Sequence, residues 1–516
     1  MSRWTRFAPI CAILILGAAL RLLYFTAPLA DAHRWRQIDN AAIARHFAEG
    51  PFDIFHPQVN WGGPGDASVE MELPLLPAIV AVFYKIFGEN YLFGRAVVIA
   101  FSLATVVALY ALGRRIFSEA AGRAAAFLFA ISPTAVYFGR AFIVDTPTVF
   151  FSVVAILAFL TYTETDKPKF AVLGGTCLAL AWMVKLPAFL TLGPVAFIGM
   201  RARRFAVLRD RWFLAALAFA FVATALWYWH ANNLYLRTGL TVGIWRGAGT
   251  YPGVLGELAG PTTTFTGWST RELLMSGIWW RTLFTRFWMM HLTPAGFVLT
   301  AIGLILAVRV PRVSVLYVWL AAATSFVFAV GLGNLGHEYY QLPVLAPAVL
   351  FFGVAAAPMF DGAFLQRTIG RVVGPLAAGV ALTVLAIISF DESFVVRNFF
   401  RPATLDYKPI EAGAAIDAAT PKGALLIVVE FAVSDNAANA PMLLYHSRRK
   451  GWSFDLRGLT PEVVQELRGR GAQYFATIVW SELQQIQPHF ARYLQTQQEV
   501  PLLNAARDTR LFRLVN

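Results

Sequence analysis

Apolar runs recur along residues 7–390, most of them near the ~20 residues that a helix needs to cross a hydrocarbon core, and short basic turns separate them. The pattern predicts a mainly α, polytopic membrane protein of about 11 transmembrane helices. The spans fall near 7–27, 91–112, 124–139, 147–163, 170–184, 187–200, 213–230, 294–308, 313–332, 341–358 and 372–390. Lys185 and Pro187 interrupt what is otherwise one apolar stretch between the fifth and sixth spans. The segment 74–87 is too short to cross and is expected at the outer interface, as a re-entrant or surface helix. Beyond residue 390 the apolar runs shorten to strand length. Strands are expected at 424–431, 453–456, 474–480 and 510–515, with helices at 436–447, 461–471 and 481–494, which together make a small C-terminal α/β domain outside the membrane. The expected domains are therefore 1–390, with a first outer loop over 28–90 and a lid loop over 231–292, and 391–516.

Composition agrees with the pattern. The 516 residues are 58% hydrophobic and only 14% charged, where soluble domains carry about 25% charge, so a soluble enzyme and a free nucleic-acid binder are excluded. The 43 Lys and Arg exceed the 30 Asp and Glu by a net +13. Much of that excess sits in short loops between spans: Arg3/Arg6, Arg114/Arg115/Arg123, Lys167/Lys169, Arg201 to Arg211, Arg309/Arg312 and Arg367/Arg371. Basic loops gather on the cytoplasmic side, which places the N-terminus inside and the C-terminal domain outside. The run 7–25 is expected to stay as the first helix, since no cleavage site follows it. Cys11 and Cys177, the only cysteines, both lie in apolar runs and offer neither a disulfide framework nor a zinc spacing.

This orientation gathers the unusual polar residues on one side. The segment 31–47 (DAHRWRQIDNAAIARHF) has helical spacing from Arg34, with Trp35, Ile38, Ala42 and Ile43 on one side and Arg36, Asp39 and Asn40 on another. Such a helix suits the outer membrane face. Two acids, Asp31 and Asp39, beside Arg34 and Arg36 also suit a general base near a phosphorylated lipid, while Asp31 alone suits a helix cap. His33, Arg36 and Gln37 are candidate substrate contacts in the same segment. Glu72 precedes a proline-broken apolar stretch, and the turn 331–343 (GLGNLGHEYYQLP) sets His337, Tyr339 and Tyr340 together. Glu72 with His337 is a candidate divalent-metal pair, although one carboxylate and one distant histidine are a weak metal signal. Arg140 and Asp145 close the third span and suit either an ion pair or a site at the membrane edge. Lys185 suits either a snorkelling side chain or a phosphate contact. Trp245, Trp268, Trp279, Trp280 and Trp288 in the lid loop suit an aromatic belt, or a surface for prenyl chains or sugars.

Residues 1–390 resemble the GT-C glycosyltransferases, in particular the bacterial branch that includes protein O-mannosyltransferases and the lipid A aminoarabinose transferase. The resemblance rests on Asp31 to Arg45, on Glu72-Leu-Pro-Leu-Leu-Pro, on Arg140 with Asp145, and on His337 to Pro343. It implies inverting transfer of a sugar from a polyprenyl-phosphate donor to an acceptor hydroxyl of a lipid, polysaccharide or protein, on the periplasmic face of a bacterial inner membrane. It also implies a first-loop acid as base, best matched by Asp31 with Asp39 as the alternative, and a second-loop acid at Asp145. Arg140, Lys185 and Tyr340 are then candidates for the donor phosphate, and Glu72 and His337 for a metal ion that some relatives use. Two other readings remain open: a polymerase or ligase with a pyrophosphate-linked donor, and a transporter or flippase of lipid-linked sugars.

Overall fold

The structure is a computed structural model and describes residues 3–244, 270–370, 372–391, 399, 406–432 and 440–515. The chain forms two compact units. One comprises Met1–Thr26, Arg95–Leu226 and Trp268–Pro402; the other comprises Ala27–Gly94, Trp227–Gly267 and Ala403–Asn516.

The first unit is helical because its apolar runs leave the backbone as almost the only polar group, and helices satisfy that backbone internally. Each of the eleven predicted spans falls on one helix or on two consecutive ones. The predicted span 124–139 is broken at Ser132 into Glu119–Ile131 and Pro133–Phe138, and the span 187–200 begins as the 3-10 turn Leu186–Thr191. Among the described residues, four helices are long and apolar enough to cross a membrane alone: Leu92–Ile116, Asp145–Thr165, Arg211–Thr238 and Glu338–Phe360. The number rises to 6 if Gly277–His291 with Pro294–Ala307, bent by 101°, and Gly362–Thr368 with Val373–Ile388, bent by 119°, each count as one span. Others among the eleven fall short in length, such as Ser314–Ala329 with 16 residues.

The helix Leu342–Phe360 packs centrally against Glu119–Ile131 and Pro294–Ala307. Glycines permit this approach, as in other membrane helix pairs. A Cβ on Gly303 would stand 1.8 Å from the Phe351 carbonyl oxygen, and one on Gly353 2.4 Å from that of Ala121.

Arg21 is fully buried in this unit and has no acidic partner in the hydrogen bonds that hold it. Pro133 has no N–H to give the Phe129 carbonyl one turn back, and the helix break also disturbs its neighbours. Arg21 supplies donors there: Nη1 to Ala130 O at 2.9 Å and Nη2 to Ala135 O at 3.2 Å and Phe129 O at 3.5 Å. Its Nε donates to Ser102 Oγ at 2.7 Å. Arg21→Met therefore strands several buried acceptors and is expected to cost about 3–5 kcal/mol. Thermal unfolding in detergent checks this, and an unchanged midpoint would sink the assignment.

The lid predicted over 231–292 is partly helical. The helix Arg211–Thr238 runs on into it, and Thr270–Met275, Gly277–Thr285 and the π-helical turn Arg286–His291 close it. Trp245 and Trp268 lie outside the described residues. Trp279 is 0% exposed and donates to Gly331 O at 3.3 Å, so it is core rather than a stacking surface.

In the second unit, a five-stranded sheet of order β2-β1-β3-β5-β4 comprises β1 (Leu425–Phe431), β2 (Lys450–Asp455), β3 (Ala472–Thr477), β4 (Gln498–Glu499) and β5 (Arg510–Arg513). β1 runs parallel to β2 and β3, while β5 is antiparallel to β3 and β4. The predicted α/β pattern thus holds, with the short β4 missed and the helix expected at 481–494 broken before Pro488. The helix expected at 436–447 covers Met442–His446, and 433–439 lie outside the described residues. Ile427, Val429, Trp452, Phe454, Phe475 and Phe512 form one core with the helices Pro461–Gly469 and Pro488–Gln495.

The first loop belongs to this same unit. Its helix Arg34–Glu49 packs on Leu75–Phe87 and on Met442–His446. The edge of β2 pairs with the loop backbone: Gly63 N donates to Gly451 O at 2.8 Å, and Gly451 N to Asn60 O at 2.9 Å. Gly63 has φ +75° and lies on the Trp452 indole, 2.8 Å from where a Cβ would stand, so no larger residue fits there.

Candidate active site

In the helical unit, three chain segments bring charged and aromatic groups together. Lys185 ends the helix Pro168–Val184, Asp145 begins Asp145–Thr165, and the segment 337–341 precedes Leu342–Phe360. Lys185 Nζ donates to Asp145 Oδ1 at 2.5 Å and stands 4.9 Å and 4.7 Å from the ring centroids of Tyr339 and Tyr340. The two rings meet edge to face, and the His337 imidazole lies 5.2 Å from each. The lysine is folded inward, its side chain only 13% exposed, so it does not snorkel to the surface. Tyr339 is buried and is not a belt residue. Arg140 is buried as well, over the Tyr137 ring at 5.2 Å, with Nη1 donating to Tyr24 O at 3.4 Å.

A small, mostly apolar cavity lies in the same unit. Thr148, Pro187, Ala188, Trp319 and Pro343 are among its walls. Thr148, Pro187 and Pro343 follow Asp145, Lys185 and Tyr340 by two or three residues, so the cluster and the cavity share the same three chain segments.

Arg286 and Gln341 were missed in the sequence, and both fix the turn that carries His337. Arg286 donates to Asn334 O at 2.5 Å, to Leu335 O at 2.8 Å and to Glu338 Oε1 at 3.3 Å. Gln341 donates to Asn334 O at 2.7 Å and bonds to the His291 ring at 3.0 Å. Arg286, set among the aromatic and apolar residues just before His291, was the available signal.

In the other unit, Asp31 does not cap the first-loop helix; His33, in the left-handed region at φ 54°, stands at that position. Asp31 instead accepts a hydrogen bond from Gln37 Nε2 at 2.6 Å, which fixes its carboxylate one turn before the helix proper. Arg36 donates to Val242 O at 3.0 Å. Arg34 pairs with Asp406 at 2.9 Å. The helix does not lie on a membrane surface, because its polar side is covered too: Asp39, Asn40 and Arg45 are buried along with Ile38, Ala42 and Ile43. Arg45 donates to Glu89 and to Tyr445 O and lies over the Tyr445 ring at 4.0 Å.

Asp39 accepts from the Trp61 indole at 3.2 Å, and burial pushes its carboxyl up to about 7 against the pull of Arg36, Trp61 and Trp35. Glu430 at the end of β1 is pushed up to about 8, also by burial first, with the Leu443 N–H opposing and the charge of Asp39 adding. Both acids hold their protons in the folded state well above the pH at which the unfolded chain releases them. The contribution of these two acids to folding stability is therefore full below about pH 4 and is lost as pH rises through 7 to 8. Asp39→Asn should flatten part of that slope. Unfolding midpoints between pH 5 and 9 test it, and an unchanged slope in the variant would refute it.

Glu72 is half-buried within electrostatic reach of Tyr228. Among the described residues no group of three or more His, Cys, Asp or Glu is placed to hold a metal ion, and one carboxylate with one imidazole is too small a donor set to hold an ion alone.

Residues 71–229 match the family described as dolichyl-phosphate-mannose-protein mannosyltransferase. No curated protein sequence matches the chain. Among solved structures, the chain is similar to ArnT from Cupriavidus metallidurans in the apo state, at 13% identity and TM-score 0.64, covering 98% of both chains. It is also similar to ArnT of that organism bound to undecaprenyl phosphate, at 13% identity and TM-score 0.62 over 99% of this chain and 98% of that one. The archaeal oligosaccharyltransferase AglB from Archaeoglobus fulgidus, in complex with an inhibitory peptide and a dolichol-phosphate, matches at 12% identity and TM-score 0.56, covering 99% of this chain and 77% of that one. The chain thus has the fold of the GT-C membrane glycosyltransferases. It resembles the ArnT and protein O-mannosyltransferase branch of that fold.

Proposed function

We propose that the protein is an inverting glycosyltransferase that moves a sugar from a polyprenyl-phosphate donor to an acceptor hydroxyl, on the periplasmic side of a bacterial inner membrane crossed about eleven times. The Lys185 cluster is the observation that carries this reading. An inward-folded ammonium on two phenol rings, beside an apolar cavity, is the pairing that a phosphate on a prenyl chain requires. The likeness to an ArnT structure bound to undecaprenyl phosphate supports the donor class.

An ammonium has three donors. One meets Asp145 here, and the others are available to a phosphate that displaces the ring contacts. Asp145 holds the Lys185 ammonium in place, while the Tyr340 hydroxyl and Arg140 are the further candidates for the phosphate oxygens. Asp31, oriented by Gln37, is the base. The acceptor oxygen attacks the anomeric carbon, its proton passes to the Asp31 carboxylate, and the bond from that carbon to the phosphate oxygen breaks with its electron pair leaving on the phosphate. Phosphate is already a good leaving group, so one base with cationic support suffices, in contrast to the two carboxylates of hydrolysis. The domain Ala403–Asn516, with its parallel β2-β1-β3 core, has a role in acceptor capture in this reading.

The test is transfer of labelled sugar from a panel of polyprenyl-phosphate sugars by the protein in proteoliposomes. Label appearing on an acceptor with release of polyprenyl phosphate is expected. Lipid-linked sugar crossing the vesicle wall unchanged, with no transfer from any donor, would replace the enzyme reading with a transporter.

A further inference from the structure

The 3-10 turn Arg204–Arg209 joins the helices Leu192–Arg203 and Arg211–Thr238. At that end of the helices several other arginines, though not Arg201, are matched by acids. Arg203 pairs with Asp210 at 2.7 Å and with Asp166, Arg312 pairs with Glu164 at 3.1 Å, and Arg115 pairs with Glu164. Arg204, Arg209 and Arg211 are exposed, and among the described residues no carboxylate pairs with them; Arg211 lies only over the Trp212 ring, at 5.7 Å.

Apolar side chains alternate with these guanidinium groups. Phe205 is 76% exposed, Leu208 63% and Trp212 39%. Only Val207 points inward, seated where Gly199 leaves room for it and for Phe213. Three uncovered apolar groups stand next to the start of a 28-residue helix that is long and apolar enough to cross a membrane, and apolar side chains at such a boundary enter the acyl region. The three charges beside them suit headgroup level, where an anionic lipid gains from each nearby guanidinium.

We infer that the turn 204–212 is a binding surface for anionic phospholipid headgroups, with Arg204, Arg209 and Arg211 on the phosphates and Phe205, Leu208 and Trp212 in the acyl boundary. The inference rests on the membrane fold and not on the transferase reading.

The experiment uses the full-length protein in detergent, titrated with phosphatidylglycerol or phosphatidylcholine and read by native mass spectrometry as lipid retained per molecule. The wild type should favour phosphatidylglycerol. The combined Arg204→Gln, Arg209→Gln and Arg211→Gln variant should lose about 100-fold of that preference, about fivefold for each charge, with an unchanged unfolding midpoint. The three Arg→Lys changes together should keep most of it, since the charge remains. Phe205→Ser with Leu208→Ser should weaken retention of both lipids alike. Equal retention of the two lipids by the wild type, or an unaltered preference in the Gln variant, would overturn the proposal and leave an acidic protein face as the partner of the turn.

Discussion

Asp31→Asn is expected to lower kcat for sugar transfer by about 10²–10⁴-fold, the span that a positioned base contributes, while leaving the unfolding midpoint near that of the wild type. The Gln37 amide that now donates to Asp31 at 2.6 Å can donate to the asparagine carbonyl instead, so the geometry survives and the proton acceptor is lost. Gln37→Ala should act through the same group and more weakly, because it removes one orienting hydrogen bond and leaves the carboxylate in place. The rival base is Asp39, and its elevated titration near neutrality would suit that role. Its surroundings argue otherwise. Asp39 is 4% exposed in the middle of the first-loop helix, one oxygen is taken by Trp61, and its charge is felt by Glu430 at the end of β1. Asp39→Asn, which keeps an acceptor for the indole, should therefore retain transfer within a few-fold. If Asp39→Asn abolishes transfer and Asp31→Asn does not, the roles are exchanged.

Much of the fold was legible because membrane helices announce themselves locally, and the strands after residue 424 did so through short apolar runs. The first-loop helix was legible for the same reason, from the spacing of Ile38, Ala42 and Ile43. That its polar side is buried as well was not, since the residues that cover it, Tyr445 and its neighbours, come from about 400 positions further on. Arg21 shows the same limit. Nothing near residue 21 reports that Pro133 leaves carbonyls in need of donors, so Arg21, inside the predicted span 7–27, carried no sign of its partners. Lys185 was conspicuous as a break between two apolar runs, but Asp145 lies 40 residues before it, and the pair exists only because three helix ends converge. The same distance explains why Arg286, which fixes the His337 turn, went unnoticed.

Lys185 offers the second large effect, and its pairing with Asp145 makes the test a double one. Lys185→Met removes the ammonium from both the aspartate and the donor phosphate. Transfer should fall by about 10²–10³-fold in kcat/KM, the usual cost of one stabilising contact at a departing anion. Asp145, 6% exposed in its side chain, then loses the ammonium it pairs with, and breaking a buried ion pair from one side should cost stability by about 3–5 kcal/mol. A loss of activity alone would thus not tell a donor contact from damage to the fold. Lys185→Met combined with Asp145→Asn separates the two. With both charges gone, the unfolding midpoint should return most of the way to the wild-type value, while transfer stays low because nothing cationic at position 185 meets the phosphate. Lys185→Arg should keep part of the activity, since a guanidinium can still pair with Asp145 and a phosphate although its planar fork fits differently between the two tyrosine rings. Recovery of transfer in the double variant would mean that the lysine serves only to neutralise Asp145, and the phosphate would have to be held by Arg140 and Tyr340 without it.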